Sequence, residues 1–381
     1  MKKRIFCLMI AIFMLAGLAS CCSEPEESSL PAPEIQKITV PVINGVKLSD
    51  FTVVYKNNSN EIQKYKYVAD AFVKYVKTNY GVSLKCVPHN AKQTDNEIIF
   101  GVVSDRDISK GKTKNYGVGG YTVAVKGAKV LVASSWPSGC YGGMEALCQK
   151  FNSAKKGIID DMEFSGEKKV IKVACVGDSI TYGANSDDPI NATYPAFLQN
   201  MLGYDYYVLN AGISGYSVCK TDEYAYRKSV EYSQAQVFKP DVVLFALGIN
   251  DANPTPTQPY KNWDDPTIGR ESLFRTSANE LLDSFIKINP DVQIIMLMPT
   301  KLFKVGEDSW NAEAWNENLK KHVIPLLQEI AMDRSLRTIE FFNWSEAHKD
   351  IFTDGLHPGT QGYKSYARHV YDEIKDAIKK P

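Results

Sequence analysis

Ser179 stands in the run Gly177-Asp178-Ser179-Ile180-Thr181, directly after an apolar stretch. A serine on such a strand-to-helix turn exposes its hydroxyl, and its own N–H faces the place where negative charge would develop on an attacked carbonyl. A hydroxyl needs a base to become a nucleophile. Asp354-Gly355-Leu356-His357-Pro358 places a carboxylate three residues before an imidazole. In such a pair the acid fixes the tautomer of the base and stabilises the imidazolium formed when it takes a proton. Two donor blocks lie between. Asn210-Ala211-Gly212-Ile213-Ser214-Gly215 offers a glycine N–H with no side chain to obstruct a substrate, and Gly248-Ile249-Asn250-Asp251 offers a neutral amide donor suited to an oxyanion. Read alone, each block is equally well a turn.

The elements that must hold these blocks are five short, continuous apolar runs separated by longer helical stretches: Val170 to Val176, Tyr206 to Asn210, Asp241 to Leu247, Gln293 to Met298 and Arg337 to Phe342. Continuous Val, Ile and Leu content fits strands of a parallel sheet covered by helices on both faces. Ligands of such sheets bind outside the carboxyl ends of the strands. Ser179, Gly212 and Asn250 all fall there, and the His357 loop leads into a last helix, Gln361 to Lys380.

In order and context the blocks resemble those of the SGNH, or GDSL-type, hydrolases, a group named for Ser, Gly, Asn and His in successive blocks, here Ser179, Gly212, Asn250 and His357. The resemblance runs from Val170 to the end of the chain. It implies a three-layer α/β/α, flavodoxin-like domain over residues 170–381 with a five-stranded parallel sheet. It also implies a Ser179-His357-Asp354 triad, an oxyanion hole of the Ser179 and Gly212 N–H groups with the Asn250 side chain, and no cofactor. Tyr216 departs from the pattern, since relatives often carry Asp in GxSGD, and bears on loop packing or substrate choice rather than on chemistry. Competing sites are weaker. The Gly-x-Ser-x-Gly elbow is absent, because Gly215 follows Ser214 directly. His89, His322, His348 and His369 lack an Asp block at a strand end, Asp187-Asp188 reads as a solvated loop, and no metal-ligand spacing occurs, so no metal is expected.

The chain opens with Lys2, Lys3 and Arg4 before an apolar run from Ile5 to Leu18, too short for a membrane span and patterned as a signal peptide over residues 1–20. Leu18-Ala19-Ser20-Cys21 resembles the bacterial lipobox, which implies cleavage before Cys21 and lipidation of Cys21. Several acyl chains, worth ~0.8 kcal/mol per buried methylene, give stable anchoring. The implied location is the outer membrane of a Gram-negative envelope, on its surface or periplasmic face, with the membrane met through the lipid alone. Residues 21–36 read as a flexible tether, because Cys22 to Pro33 is rich in Ser, Glu and Pro, with Glu24, Glu26 and Glu27 early in it.

Residues 37–165 read as a small α/β domain. Strand-like stretches at Lys37 to Val42 and Phe51 to Tyr55 precede a helix from Glu61 to Tyr80, closed by Gly81. Strands return at Val82 to Val87 and Glu97 to Val103, then a hairpin pairs Tyr121 to Val125 with Lys129 to Ala133, and a helix spans Ser138 to Phe151. This order, with the patterns IIFGVV, GGYTVAV and GCYGGMEAL, resembles the accessory domain preceding the catalytic domain in family 20 β-hexosaminidases and α-glucuronidases, where it is mostly structural.

At 381 residues two cores are expected, and 44% hydrophobic with 23% charged residues supplies them. A formal net charge of zero argues against a nucleic-acid partner. Of eight cysteines, Cys7 leaves with the signal and Cys21 carries lipid; Cys22, Cys86, Cys140, Cys148, Cys175 and Cys219 match no zinc spacing and read as buried free thiols, although the compartment permits disulfides. Two loops, Ala252 to Gly269 with Tyr260 and Trp263, and Lys301 to Ala314 with Trp310 and then Trp315, bring aromatics that either stack on sugar rings or pack. The expected substrate is an acyl ester, an acetyl ester on a carbohydrate first among them. A lipid-directed esterase and a non-catalytic glycan-binding lipoprotein are the alternatives.

Overall fold

The apolar runs of the carboxyl-terminal half form one five-stranded parallel sheet in a computed structural model that describes residues 39–58, 61–112, 116–254, 262–306 and 311–380. The signal segment, the tether with Cys21 and Cys22, Tyr260 and Trp310 lie outside the described residues.

The amino-terminal part has a short antiparallel pair, β1 (Val42–Ile43) and β2 (Val46–Lys47); of the strand expected over Lys37 to Val42, Lys37 and Ile38 lie outside the described residues and Val42 alone of the rest is in a strand. Then come β3 (Thr52–Tyr55), α1 (Tyr65–Tyr80), β4 (Lys85–Pro88), β5 (Glu97–Phe100), the hairpin β6 (Gly120–Lys126) and β7 (Lys129–Ala133), and α2 (Pro137–Ser153). β8 (Ile158–Ile159) and β9 (Met162–Glu167) close this part. A six-stranded mixed sheet in the order β4-β3-β5-β7-β6-β9 results. Helix α1 buries Val68, Ala69, Phe72 and Val76, and the Phe72 ring sits 5.3 Å from Phe100 and 6.2 Å from Phe151 of α2.

Helix α1 starts later than its periodicity predicts, at Tyr65 rather than Glu61, for a tertiary reason. Gln63 is buried and donates from Nε2 to the Tyr206 carbonyl in the parallel sheet, 2.9 Å, and Asn58 Oδ1 accepts from the Tyr65 N–H at 3.2 Å in place of a preceding helical turn. The segment before α1 thus joins the two sheets instead of extending the helix. The same junction stacks Tyr141 on Tyr204, 4.8 Å and 13°, and sets Trp136 edge-on to Tyr207 at 5.1 Å.

The parallel sheet is wound as β10 (Ile171–Gly177), α3 (Ser179–Tyr182), α4 (Tyr194–Leu202), β11 (Tyr206–Gly212), α5 (Val230–Phe238) and β12 (Val242–Ala246). It continues through α6 (Arg270–Ile288), β13 (Gln293–Leu297), α7 (Ala312–Asn318), α8 (Ile324–Asp333), β14 (Arg337–Ile339), α9 (Phe342–Ala347) and α10 (Thr360–Ile374). Its order is β11-β10-β12-β13-β14, with β10, β12 and β13 inside and β11 and β14 at the edges. Val173, Ala174, Cys175 and Val176 are fully buried, as covering of both faces requires. Helix α4 packs on α10, and α5, α6 and α8 pack in sequence, as the two helical layers.

A cleft of about 1040 Å³ opens between the two parts, lined by Trp136, Lys169, Leu209, Val230 and Val237. It lies by the amino-terminal end of β10. At ~3.3 Å per strand residue, roughly 20 Å separate it from the end that carries Ser179, so it is not the candidate site.

Candidate active site

Three adjacent strands deliver three of the blocks to one edge. Gly177 at the end of β10 pairs in register with Gly212 of β11 and Ala246 of β12, so the residues that follow each strand are neighbours. Close approach explains the glycines. A Cβ at Gly177 would stand 1.9 Å from Thr181 Oγ1, and one at Gly212 would stand 2.2 Å from the Tyr182 nitrogen, so side chains there would force α3 off the sheet. Helix α3 is a single turn rather than a long helix. Its cap is Asp178, whose Oδ1 accepts from the Ile180 N–H at 3.1 Å. Burial, with the nearby Asp251 charge adding to it, pushes the Asp178 carboxyl up to about 7.

Ser179, 5% exposed, meets the carboxyl-terminal loop across the edge of the sheet. His357 Nε2 lies 2.9 Å from Ser179 Oγ, and His357 Nδ1 lies 2.8 Å from Asp354 Oδ2. A carboxylate only accepts, so Nδ1 carries the proton and Nε2 is left to accept from the serine hydroxyl. Asp354 also closes the loop on itself, because its Oδ1 accepts from the Leu356 and His357 N–H groups at 2.9 and 2.6 Å. Burial works to raise the Asp354 carboxyl, but the His357 N–H, the imidazole and the Leu356 N–H outweigh it and hold the group below the usual carboxylate range. The loop is pinned from outside as well. Phe303 N–H donates to the Gly355 carbonyl at 2.8 Å, and Asn185 Nδ2 donates to the His357 carbonyl at 3.2 Å.

The donor blocks differ in detail from the expectation. The Gly212 N–H, expected to face an oxyanion, donates to Asn210 Oδ1 at 3.0 Å. Parallel pairing leaves that N–H at the strand end without a ladder partner, and the nearest side-chain acceptor takes it. Asn250 Nδ2 donates to the Tyr216 carbonyl at 2.9 Å, which fixes the plane of its amide.

Behind Asn250 lies a buried ion cluster that sequence reasoning missed. Arg270, with its side chain fully buried, donates from Nη1 and Nη2 to Asp222 Oδ1 and Oδ2, 2.7 and 3.0 Å, and from Nη2 to Asp251 Oδ1 at 3.3 Å. Asp251 in turn accepts from the Val218 and Cys219 N–H groups at 2.8 and 3.1 Å, and Ser217 Oγ donates to Asp222 Oδ2 at 2.7 Å. Burial pushes the Asp251 carboxyl up against the pull of the Arg270 guanidinium, and Asp222 and Asp251 keep that guanidinium charged. Cys219, Asp222 and Asp251 have the donor types of a metal site, but a guanidinium already occupies the space between the carboxylates. The signal for Arg270 was present: it shares the buried face of α6 with Phe274, Ser277, Ala278, Leu281 and Phe285. Arg270→Met strands two buried carboxylates and is expected to lower folding stability by ~3–5 kcal/mol in denaturant titration, with Asp222→Asn/Arg270→Met losing less than the sum of the single changes.

Two of the aromatics weighed as sugar platforms are packing residues. Trp263 is 7% exposed, stacks on His322 at 5.2 Å and donates from Nε1 to the Asp251 carbonyl at 3.0 Å; Trp315 is 3% exposed and donates to the Ile249 carbonyl at 2.6 Å. A buried indole N–H needs an acceptor, and the carbonyls flanking Asn250 serve as that acceptor. The remaining histidines are engaged elsewhere: His89 Nδ1 accepts from the Asn57 N–H, His322 Nδ1 lies 2.9 Å from Glu271 Oε1, and His348 and His369 stack on Trp344. Among the described residues Cys86, Cys140, Cys148, Cys175 and Cys219 are free thiols.

A parallel α/β sheet with helical layers, a serine–histidine–aspartate chain of hydrogen bonds at its carboxyl edge and amide donors on the two flanking strands defines the class of α/β acyl hydrolases. The chain belongs to the GDSL-like Lipase/Acylhydrolase family, whose pattern matches residues 175–365, half of its length. It is 29% identical over 230 residues to an acetylxylan esterase of Xylanibacter ruminicola; the match covers 55% of this chain and 44% of that protein, so the chain spans less than half the length of this relative. Among solved structures, a lipase/acylhydrolase from Enterococcus faecalis matches at 22% identity and a TM-score of 0.41 over 56% of this chain and 99% of the other. A carbohydrate acetylesterase family member from Sinorhizobium meliloti matches at 17% identity and a TM-score of 0.40 over 54% and 98%.

Proposed function

We propose that the protein is a serine esterase that removes acetyl groups from carbohydrates. The observation that carries the reading is the continuous hydrogen-bonded chain from Ser179 Oγ through His357 to Asp354. His357 Nε2 takes the serine proton as Oγ attacks the ester carbonyl, Asp354 holds the imidazolium, and His357 then returns the proton to the leaving sugar hydroxyl. Water, deprotonated by the same imidazole, cleaves the acetyl-enzyme to acetate and restores Ser179. The oxyanion is held by the Ser179 N–H, the Gly212 N–H once the carbonyl oxygen replaces Asn210 Oδ1, and the Asn250 amide whose plane Tyr216 sets.

The likeness to an acetylxylan esterase supports acetyl and carbohydrate as the two halves of the substrate. Acetate release from a panel of acetylated glycans, with Ser179→Ala as the blank, tests the sugar half. A chain-length series of p-nitrophenyl esters tests the acyl half: preference for acetate is expected, and preference for long acyl chains would turn the reading toward a lipid-directed esterase. Asn250→Ala is expected to lower kcat by ~10² to 10³ with the fold intact, and full turnover in that variant would remove Asn250 from the oxyanion site. For the location we propose lipidation of Cys21 and an outer-membrane anchor, supported by the lipobox-like run Leu18 to Cys21.

A further inference from the structure

We infer that Tyr224, paired with Tyr216, is the platform on which the sugar ring carrying the ester, or the ring next to it, is stacked. The inference rests on the carbohydrate-esterase reading and deepens it. With Trp263 and Trp315 buried, other aromatics must serve any ring-stacking surface near Asn250. Tyr224 is 50% exposed, and its ring lies 5.7 Å from that of the partly buried Tyr216 at 66°.

Tyr216 is bound directly to the candidate oxyanion donor, since its carbonyl accepts from Asn250 Nδ2 at 2.9 Å. The backbone of Tyr216 therefore adjoins the side chain proposed to hold the oxyanion, and the Tyr224 ring packs against the ring of Tyr216.

The loop that carries the platform is tied down although the Tyr224 ring is exposed. Ser217 is bonded to both neighbours of Ala225 across the loop: its N–H donates to the Tyr224 carbonyl at 2.9 Å and its carbonyl accepts from the Tyr226 N–H at 2.8 Å. From below, Asp222 and Asp251 hold Ser217, Val218 and Cys219, and Arg270 holds both acids. So much ordering of an exposed loop tip has a physical use: a pre-ordered aromatic face binds the C–H face of a pyranose without losing further side-chain freedom. The phenol supplies the polar tip that suits a sugar hydroxyl and not an acyl tail.

The test compares wild type, Tyr224→Ala, Tyr224→Phe and Tyr224→Trp on an acetylated xylo-oligosaccharide and on p-nitrophenyl acetate. The readout is the ratio of kcat/KM on the oligosaccharide to that on the small ester. Tyr224→Ala is expected to lower this ratio about five- to tenfold, chiefly through KM on the oligosaccharide, while Phe and Trp keep most of it. An unchanged ratio in Tyr224→Ala, or a loss shared by Phe and Trp, overturns the platform. A variant that instead loses activity on a long-chain ester marks the surface as an acyl-tail rest and overturns it too. Wild type inactive on both esters defeats the esterase reading separately. In that case calorimetric glycan affinity of Ser179→Ala against Ser179→Ala/Tyr224→Ala reads the platform without catalysis, and equal affinity overturns it.

Discussion

Ser179→Ala is expected to lower kcat on an acetyl ester by at least ~10⁴-fold, with a melting temperature close to that of wild type. The size follows from the proposed mechanism, in which Ser179 forms the acyl-enzyme and, without it, only binding and the oxyanion donors are left to assist water. The stability expectation has its own basis. Ser179 Oγ bonds to His357, but α3 is capped by Asp178 and the loop of His357 is held by Asp354, Asn185 and Phe303, none of which the substitution touches. Steady-state kinetics with thermal melting checks both halves. Activity within tenfold of wild type would move the nucleophile elsewhere in the chain.

Asp354→Asn should be nearly as severe, about 10⁴-fold in kcat, although it removes no reacting atom. An asparagine keeps an Oδ1 to accept from the Leu356 and His357 N–H groups, so the loop stays closed. What changes is the partner of Nδ1. An amide N–H turned toward that nitrogen favours the tautomer protonated on Nε2, and the imidazole then has no lone pair for the serine proton. The pH dependence carries a sign. Hydrogen bonds hold the Asp354 pKa below its unfolded value of about 3.9, so the stability it contributes is present above about pH 4. That contribution is lost as pH falls through the lowered folded value. In Asp354→Asn this acid-side loss should be absent, which acid titration of the fold monitored by circular dichroism reads directly. A variant with both wild-type turnover and a wild-type acid limb would separate Asp354 from His357.

The linear code determined much of this protein. Five apolar runs, each ending in a polar block, required a buried parallel sheet, because strands covered on both faces cannot alternate in polarity. The same runs put Ser179, Gly212 and Asn250 at one edge, because in such a sheet the loops after successive strands share an end. The spacing of Asp354 and His357 bound acid to base locally, since three residues are enough for a carboxylate to reach both the imidazole and the backbone of its own loop.

Tertiary structure decided the rest, and each case has a cause outside the local sequence. Strand β9 escaped the sequence reading because only Met162 and Phe164 mark its buried side among Glu, Ser and Gly; its partner β6 makes it a strand. The start of α1 moved because Gln63 bonds to Tyr206, 143 residues away. The Gly212 N–H turned to Asn210, a choice set by which acceptor the folded edge brings close. Trp263 and Trp315 became supports for the Asn250 loop, while Tyr224 was left at the surface with Tyr216 beside it. Aromatic residue types read the same in either role. What distinguishes them is whether a buried carbonyl stands ready to accept the ring's polar hydrogen, and only the packed chain supplies that carbonyl.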